Sequence, residues 1–282
     1  MTIRKPGIYA DLSFKEYLLI DAVNCSLLKR VYSQSALHAM YERDNPSEPT
    51  PALLLGEAVH TCILEPERFA KQYCQAPNVG KRSKADKEFW DDWERENPGV
   101  TALKEADWLQ VLAMSNAVLE HETAGYLLKT HGESELTFVW IDDETDLLCK
   151  ARADRVTTYA ARNVIVDLKT TQDASPKEFG KSIARFGYDM QAAWYLRGAS
   201  ALGYDDQRFF FVCVEKAPPH AVTVQELDDE GLKVGQRLIQ TALDKWHTAI
   251  ESDDPSDVSY PTHIIKQRLP AWRRTEGQGS ES

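Results

Sequence analysis

LLCKARADRVTTYAARNVIVDLK, residues 147–169, is the stretch on which the fold turns. Residues 147–156 alternate in polarity, as a strand with one covered face does. Residues 163–169, NVIVDLK, open with a uniformly apolar run, the mark of a central strand covered on both faces. Asp154 ends the first strand, Asp167 ends the second, and Lys169 follows two residues later. Residues two apart share one face of a strand. Asp167 and Lys169 therefore project together, and an adjacent strand brings Asp154 beside them. Two carboxylates that close repel, and a cation relieves the repulsion. Mg²⁺ suits the pair, because it takes one or two carboxylates and completes its sphere with waters and substrate phosphate. A lysine alongside can hold or deprotonate the attacking water and offset phosphate charge. Alone, Asp-x-Lys is most often a strand-end salt bridge, so the surroundings decide.

Working outward, residues 134–141, SELTFVWI, read as a strand, and DDETD turns the chain into 147–156, a hairpin pattern. Helices are predicted at about 176–184 and 189–202, strands at 208–215 and 221–227. Asp228 and Asp229 then cap a helix running to about Ile250, with Leu238, Ala242, Leu243, Trp246 and Ile250 on one side. The first 130 residues read as mostly helical. Ser13 and Glu16 have capping-box spacing, and a second helix starts after Asn24 with Leu27, Leu28 and Val31 as its face. Residues 52–64, ALLLGEAVHTCIL, are apolar almost all round, which predicts a buried helix. Residues 84–96 form a charged helix carrying Phe89, Trp90 and Trp93, stopped by Asn97-Pro98-Gly99. A longer helix spans 102–121, with Leu109, Leu112, Ala113, Val118 and Leu119 inward. The tail from Thr275 is polar and Gly/Ser-rich, and is expected to be disordered. The order predicts α/β architecture in a single domain over 1–274: a mostly helical part over 1–130 and an α/β core over 131–274.

Bulk properties narrow the class. The 282 residues are 43% hydrophobic, enough for one sizeable core. No apolar run reaches the roughly 20 residues of a membrane span, and MTIRKPGIYADLSF lacks the apolar segment of a signal peptide. No membrane association and a cytoplasmic location are the expectation. The five cysteines include no CxxC pair, so they read as reduced, mostly buried side chains. No iron–sulfur cluster and no nucleotide cofactor is expected. The net charge of −11 disfavours nucleic acid as a partner unless positive charge is local. It is local in two places. Lys81, Arg82, Lys84 and Lys87 crowd one stretch and are the first candidates for duplex contact; Lys150, Arg152 and Arg155 flank Asp154. Trp90 and Trp93 suit base stacking, although helix core is the commoner role.

Further residues join the Asp…Asp-x-Lys set. Glu135 opens the first strand of the hairpin. Gly56 and His60 lie four apart on one face of the apolar helix, where a histidine can ligate metal. Gln191 and Tyr195 lie four apart on the helix after the third strand. The order His60, Glu135, Asp154, Asp167-x-Lys169, Gln191-x-x-x-Tyr195 resembles the PD-(D/E)xK nuclease superfamily, and within it the RecB-like branch with its helical His and QxxxY motif. More narrowly, the chain resembles RecE-type exonucleases (the nuclease domain of exonuclease VIII). The similar segments are GIYADLSFKEY at 7–17, LGEAVHTCILEPERF at 55–69, the AP at 76–77, DETDLLCKARAD at 143–154, VDLKTT at 166–171, YDMQAAWY at 188–195 and LPAW at 269–272. Ala153 stands where the family pattern usually has Pro.

The resemblance implies a restriction-endonuclease-like core, a central mixed sheet flanked by helices. It implies a Mg²⁺-dependent 5′→3′ exonuclease on double-stranded DNA ends that leaves 3′ single strands, with Mn²⁺ able to substitute. His60, Asp154, Asp167 and the Leu168 carbonyl would hold metal. Asp154, Asp167, Lys169 and Glu135 would be catalytic, Lys169 orienting or activating water and Glu135 placing a second metal or its water. Gln191, Tyr195, Tyr188 and Arg152, with Lys81, Arg82 and Lys84, would bind substrate. A ring-shaped homo-oligomer, trimer or tetramer, and a RecT-type single-strand annealing partner are also implied. Two alternatives are a Cas4-like or other RecB-type nuclease on single strands or flaps, which the absence of a cysteine cluster disfavours in its Cas4 form, and an inactive DNA-end-binding protein, which the intact Asp, Asp and Lys disfavour.

Overall fold

The hairpin 147–169 builds the middle of a six-stranded sheet. A computed structural model describes residues 5–80 and 82–268. In chain order its elements are β1 (Gly7–Tyr9), α1 (Phe14–Leu18), α2 (Cys25–Ser33), α3 (Ala36–Asp44), α4 (Pro51–Leu64), α5 (Pro66–Gln72), β2 (Tyr73–Gln75), α6 (Lys84–Glu96), β3 (Thr101–Leu103), α7 (Glu105–Glu120) and α8 (Glu122–Lys129). Then come β4 (Gly132–Ile141), β5 (Leu148–Tyr159), β6 (Arg162–Thr171), α9 (Pro176–Phe186), α10 (Tyr188–Ala201), β7 (Arg208–Glu215), β8 (Val222–Glu226) and α11 (Asp229–Glu251). The main sheet runs β1-β4-β5-β6-β7-β8. Only β6 and β7 pair in parallel within it; their crossover carries α9 and α10. The sheet is therefore mixed and flanked by helices, as the resemblance implies.

Alternation on the central strands sends side chains into two cores. Val164, Val166 and Leu168 of β6, with Phe210, Val212 and Val214 of β7, pack against Ala58 and Val59 of α4 and Val111, Met114 and Val118 of α7. Ile165, Phe209, Phe211 and Cys213 face the other way, onto Leu28 and Val31 of α2, Trp194 of α10 and Leu243 and Trp246 of α11. Both faces of β6 and β7 are covered, which explains why 164–166 reads as an unbroken apolar run. The predicted caps form: Ser13 and Glu16 make a capping box, and Asn24 and Asp228 cap α2 and α11 through their side chains.

Several expectations need correction. The region before residue 130 also contributes strands: β1 extends the main sheet along β4, and β2 and β3 form a separate parallel pair. Three-residue strands are too short to show a period of two. The apolar helix α4 is buried only in its second half; Leu53 and Leu54 are exposed, because the start of the helix borders an open cleft. Leu109 is exposed as well, and the inner face of α7 is carried by Val111, Met114, Ser115 and Val118. Trp90, by contrast, takes the commoner role expected of it and is core, its Nε1 donating to the Gly80 carbonyl at 2.9 Å. All five cysteines are free thiols. No helix among the described residues is long and apolar enough to cross a membrane. The tail expected from Thr275, and LPAW at 269–272, lie outside the described residues.

Candidate active site

Strand register puts three carboxylates in one row. On β4 and β5, Ser134 pairs with Arg155 and Leu136 with Ala153, which sets Glu135 opposite Asp154. On β5 and β6 the ladder ends at Arg155 and Val166, and the next step sets Asp154 opposite Asp167. At this step the strands part. The Leu168 N–H donates to Asp154 Oδ2 at 2.8 Å, so the carboxylate caps the strand where the ladder stops. Glu135 holds a positive φ of 56°, an unusual backbone state for a residue with a side chain, at the interrupted pair between β4 and β5.

Other elements bring partners to the row. His60 of α4 places Nδ1 3.4 Å from Asp154 Oδ2. Gly56, one turn earlier, has only Thr170 Oγ1 near the position a Cβ would take. Lys169 Nζ is ion-paired with Asp167 Oδ2 and sits 4.7 Å over the Tyr188 ring. Gln191 Nε2 donates to Asp167 Oδ1 at 2.5 Å. Tyr195, one turn further along α10, faces the same cleft. Of the sequence-predicted set, His60, Glu135, Asp154, Asp167, Lys169, Tyr188, Gln191 and Tyr195 thus gather in one place.

The remaining predicted residues are elsewhere or otherwise engaged. Arg152 is buried; its Nε donates to Glu135 at 2.5 Å and its Nη1 to the Leu12 carbonyl at 2.6 Å. That guanidinium lines the cleft wall, where it ties the segment before α1 to the carboxylate row. Its neighbour Lys150 does the same, donating to the carbonyls of Tyr17 at 2.9 Å and Ile20 at 2.7 Å. Arg82 and Lys84 are exposed and do not line the cleft; Lys84 pairs with Glu88 at 3.7 Å. Lys81 lies outside the described residues.

Glu135 and Asp154 of the row, with His60 and Lys169, face a cleft of about 1200 Å³ walled by α1, α4 and α9; Asp167 is buried and does not line it. Arg185 and Lys216 line it, and neither is ion-paired among the described residues. Both were missed by sequence reasoning: Arg185 follows Lys177 and Lys181 at helical spacing on α9, a signal that could have found it, while Lys216 is the lone lysine or arginine between β7 and β8. Lys29 was missed too, and only the packing of α2 on α10 reveals it: its Nζ lies 3.4 Å from Gln191 Oε1.

Burial and mutual repulsion shape the electrostatics. Burial first, and Asp167 second, push the Asp154 carboxyl up to about 7, against the pull of Lys169 and the Leu168 N–H. Burial and Asp154 likewise raise Glu135, which Arg152 partly offsets. Burial and Lys169 lower His60, favouring the neutral imidazole that can ligate a metal. Burial works against the charge of Lys169, but Asp167 and Asp154 outweigh it and hold the ammonium above its ordinary value.

These features fit a divalent cation. Asp167 Oδ2 is buried and accepts no hydrogen bond of good geometry, and Asp154 is a carboxylate kept from ionising freely by burial and by a second carboxylate. A cation between them would relieve both. No group of three His, Cys, Asp or Glu side chains among the described residues is arranged to hold a metal ion by itself. An open carboxylate pair is what Mg²⁺ uses when substrate phosphate and water complete its sphere.

The mixed sheet with Asp154 and Asp167-x-Lys169 at its parting strands defines a protein of the PD-(D/E)xK nuclease superfamily. The chain belongs to the family described as a PDDEXK-like domain of unknown function (DUF3799), which matches residues 24–259. Among solved structures, one described as a "putative exonuclease" from Eubacterium rectale is 14% identical, with a TM-score of 0.61 over 95% of this chain and 99% of that one. At that identity the likeness concerns the fold. The structure of SSO0001 is 15% identical over 73% of this chain and 98% of that one, with a TM-score of 0.30. No curated protein matches the chain.

Proposed function

We propose that this protein is a divalent-metal-dependent exonuclease of the RecE type, degrading linear duplex DNA 5′→3′ and leaving 3′ single strands. The observation that carries the nuclease reading is the row Glu135, Asp154, Asp167, with Lys169 and His60 beside it, at the base of an open cleft. Duplex preference and polarity rest on the RecE resemblance. Asp154, Asp167, the Leu168 carbonyl and His60 would hold the metal, Mg²⁺ with Mn²⁺ able to replace it. When bound, the ion supplies Lewis-acid polarisation of the scissile phosphate and a nucleophile at neutral pH.

The chain's own residues supply the rest. Lys169 is a charged donor, not a free base, while Asp167 and Asp154 face it. It is suited to a phosphate oxygen as negative charge builds during attack. Glu135, across from Asp154, is placed to orient water on the β4 side. Tyr195 and Tyr188 line the wall along which the strand would lie, and Arg185 and Lys216 offer unpaired positive charge at its rim. A ring-shaped homo-oligomer and a RecT-type annealing partner complete this reading by resemblance.

The test is digestion of end-labelled linear duplex with Mg²⁺ or Mn²⁺, beside closed circles, single strands and flaps, with solution mass measured on the same sample. Expected is loss of linear duplex from 5′ ends, little action on circles, and no activity in Asp167→Asn or Lys169→Met with an unchanged fold. Untouched duplex under both metals refutes the reading. Preference for single strands or flaps moves the assignment to a RecB-type nuclease of different substrate.

A further inference from the structure

Lys29 stands behind the site, on an element the catalytic motifs do not include. It lies on α2, half-buried, and is absent from the cleft lining. Its stem crosses Gly187, the corner between α9 and α10: a Cβ at Gly187 would stand 3.4 Å from Lys29 Cε and 3.5 Å from Cδ. Gly187 holds φ +62°, a conformation that favours glycine, and the absent side chain leaves room for the lysine stem. The ammonium then reaches two groups. It lies 3.4 Å from Gln191 Oε1 and 5.3 Å from the centroid of the Tyr188 ring. Lys169 Nζ lies 4.7 Å from that same centroid, so one aromatic ring serves two ammonium groups.

We propose that Lys29 is a positioning residue of the nuclease site: it sets the Gln191 amide so that its NH₂ donates to Asp167. An ammonium has only donors, so the group turned toward it must be the amide oxygen. The NH₂ is then turned to Asp167 Oδ1, which as a carboxylate oxygen only accepts. Flipping the amide would set oxygen against carboxylate and NH₂ against ammonium, breaking both hydrogen bonds. Lys29 thereby selects one amide orientation and pins one Asp167 oxygen. Oδ2 stays turned to Lys169 and to the place where a cation fits. Groups that orient a ligand from behind commonly change metal affinity or activity about 10–100-fold when removed. The inference rests on the nuclease reading for its activity arm, but not for its metal-binding arm.

The experiment compares wild type, Lys29→Met, Lys29→Arg, Gln191→Leu and the Lys29→Met/Gln191→Leu double variant. Two quantities are read: Mn²⁺ affinity by calorimetry without DNA, and kcat and KM on linear duplex. Expected for Lys29→Met is roughly 10-fold or greater loss in Mn²⁺ affinity and kcat, with little change in KM. Lys29→Arg should recover most of the loss, since a guanidinium also only donates. The double variant should be no worse than Gln191→Leu, because both changes break one chain of hydrogen bonds. Wild-type behaviour of Lys29→Met, additive losses, or a loss confined to KM with a flatter salt dependence would overturn the proposal; the last marks a direct phosphate contact. If Lys29→Met does not fold, Lys29→Arg against Gln191→Leu decides: low Mn²⁺ affinity in the arginine variant sinks the idea. A wild type that binds Mn²⁺ but cleaves no DNA refutes the exonuclease and still leaves the metal arm to judge Lys29.

Discussion

Asp154→Asn separates what the carboxylate does for stability from what it does for chemistry. Asparagine keeps an oxygen that can accept from the Leu168 N–H, now 2.8 Å from Asp154 Oδ2, so the cap on β6 survives. What disappears is a charge beside Asp167. In the folded, metal-free protein burial and Asp167 raise the Asp154 carboxyl to about 7, against an ordinary 3.8. The folded state therefore binds a proton the unfolded chain has released. The stability carried by that proton is fully present below about pH 4 and is lost as pH rises to about 7. A shift of that size corresponds to about 4 kcal/mol. The neutral amide of the variant escapes that loss. The assay is urea unfolding of both proteins in chelator at about pH 5, 7 and 9. Asp154→Asn is expected to match wild type within about 1–2 kcal/mol at pH 5 and to exceed it at pH 9 by up to about 4 kcal/mol. The variant should also lose Mn²⁺ binding and all cleavage. If it is less stable than wild type at the highest pH, the carboxylate is a structural group and the reasoning about the repelling pair fails.

Three further outcomes are expected. Arg152→Met removes the partner of Glu135 and the donor to the Leu12 carbonyl, and should cost about 3 kcal/mol in urea unfolding; a change under about 1 kcal/mol would deny its tethering role. Gly198→Ala places a Cβ 2.5 Å from Trp140 Cζ3 in the buried face of α10, and overpacking of about 1–3 kcal/mol should exceed the gain of about 1 kcal/mol in helix propensity, lowering Tm; a raised Tm would show that the tryptophan yields. Neutralising Arg185 and Lys216 together should lower the slope of log K against log salt for duplex binding by about 0.9 for each phosphate no longer neutralised. The same change at Arg82 and Lys84 should leave the slope near wild type, and the reverse pattern would return the DNA path to residues 82–84.

The difference between those two basic sets shows how far sequence reaches. Arg82 and Lys84 drew attention because they are neighbours in the chain, yet they sit on a solvent face away from the carboxylate row. Arg185 and Lys216 stand on separate segments of the chain and come together only in the lining of the cleft. Arg152 was legible as a charge next to Asp154, but its length lets it fold back to Leu12 and Glu135, and only packing shows that.

Chain-local signals were enough for the sheet's central strands, the helices that follow them, and the members of the carboxylate row. Alternation and apolar runs are short-range patterns, and two carboxylates with a lysine leave a readable spacing, although both strands run on past them, to Tyr159 and Thr171, rather than ending there. Three features came only with the folded chain: the register that sets Glu135, Asp154 and Asp167 in line, the strand β1 that extends the sheet edge, and the lysine of α2 behind Gln191. Two of the three join residues more than about a hundred positions apart, and the register depends on strand pairing that local propensity does not fix. A side chain's neighbours across a fold are set by packing, and packing leaves no period in the chain.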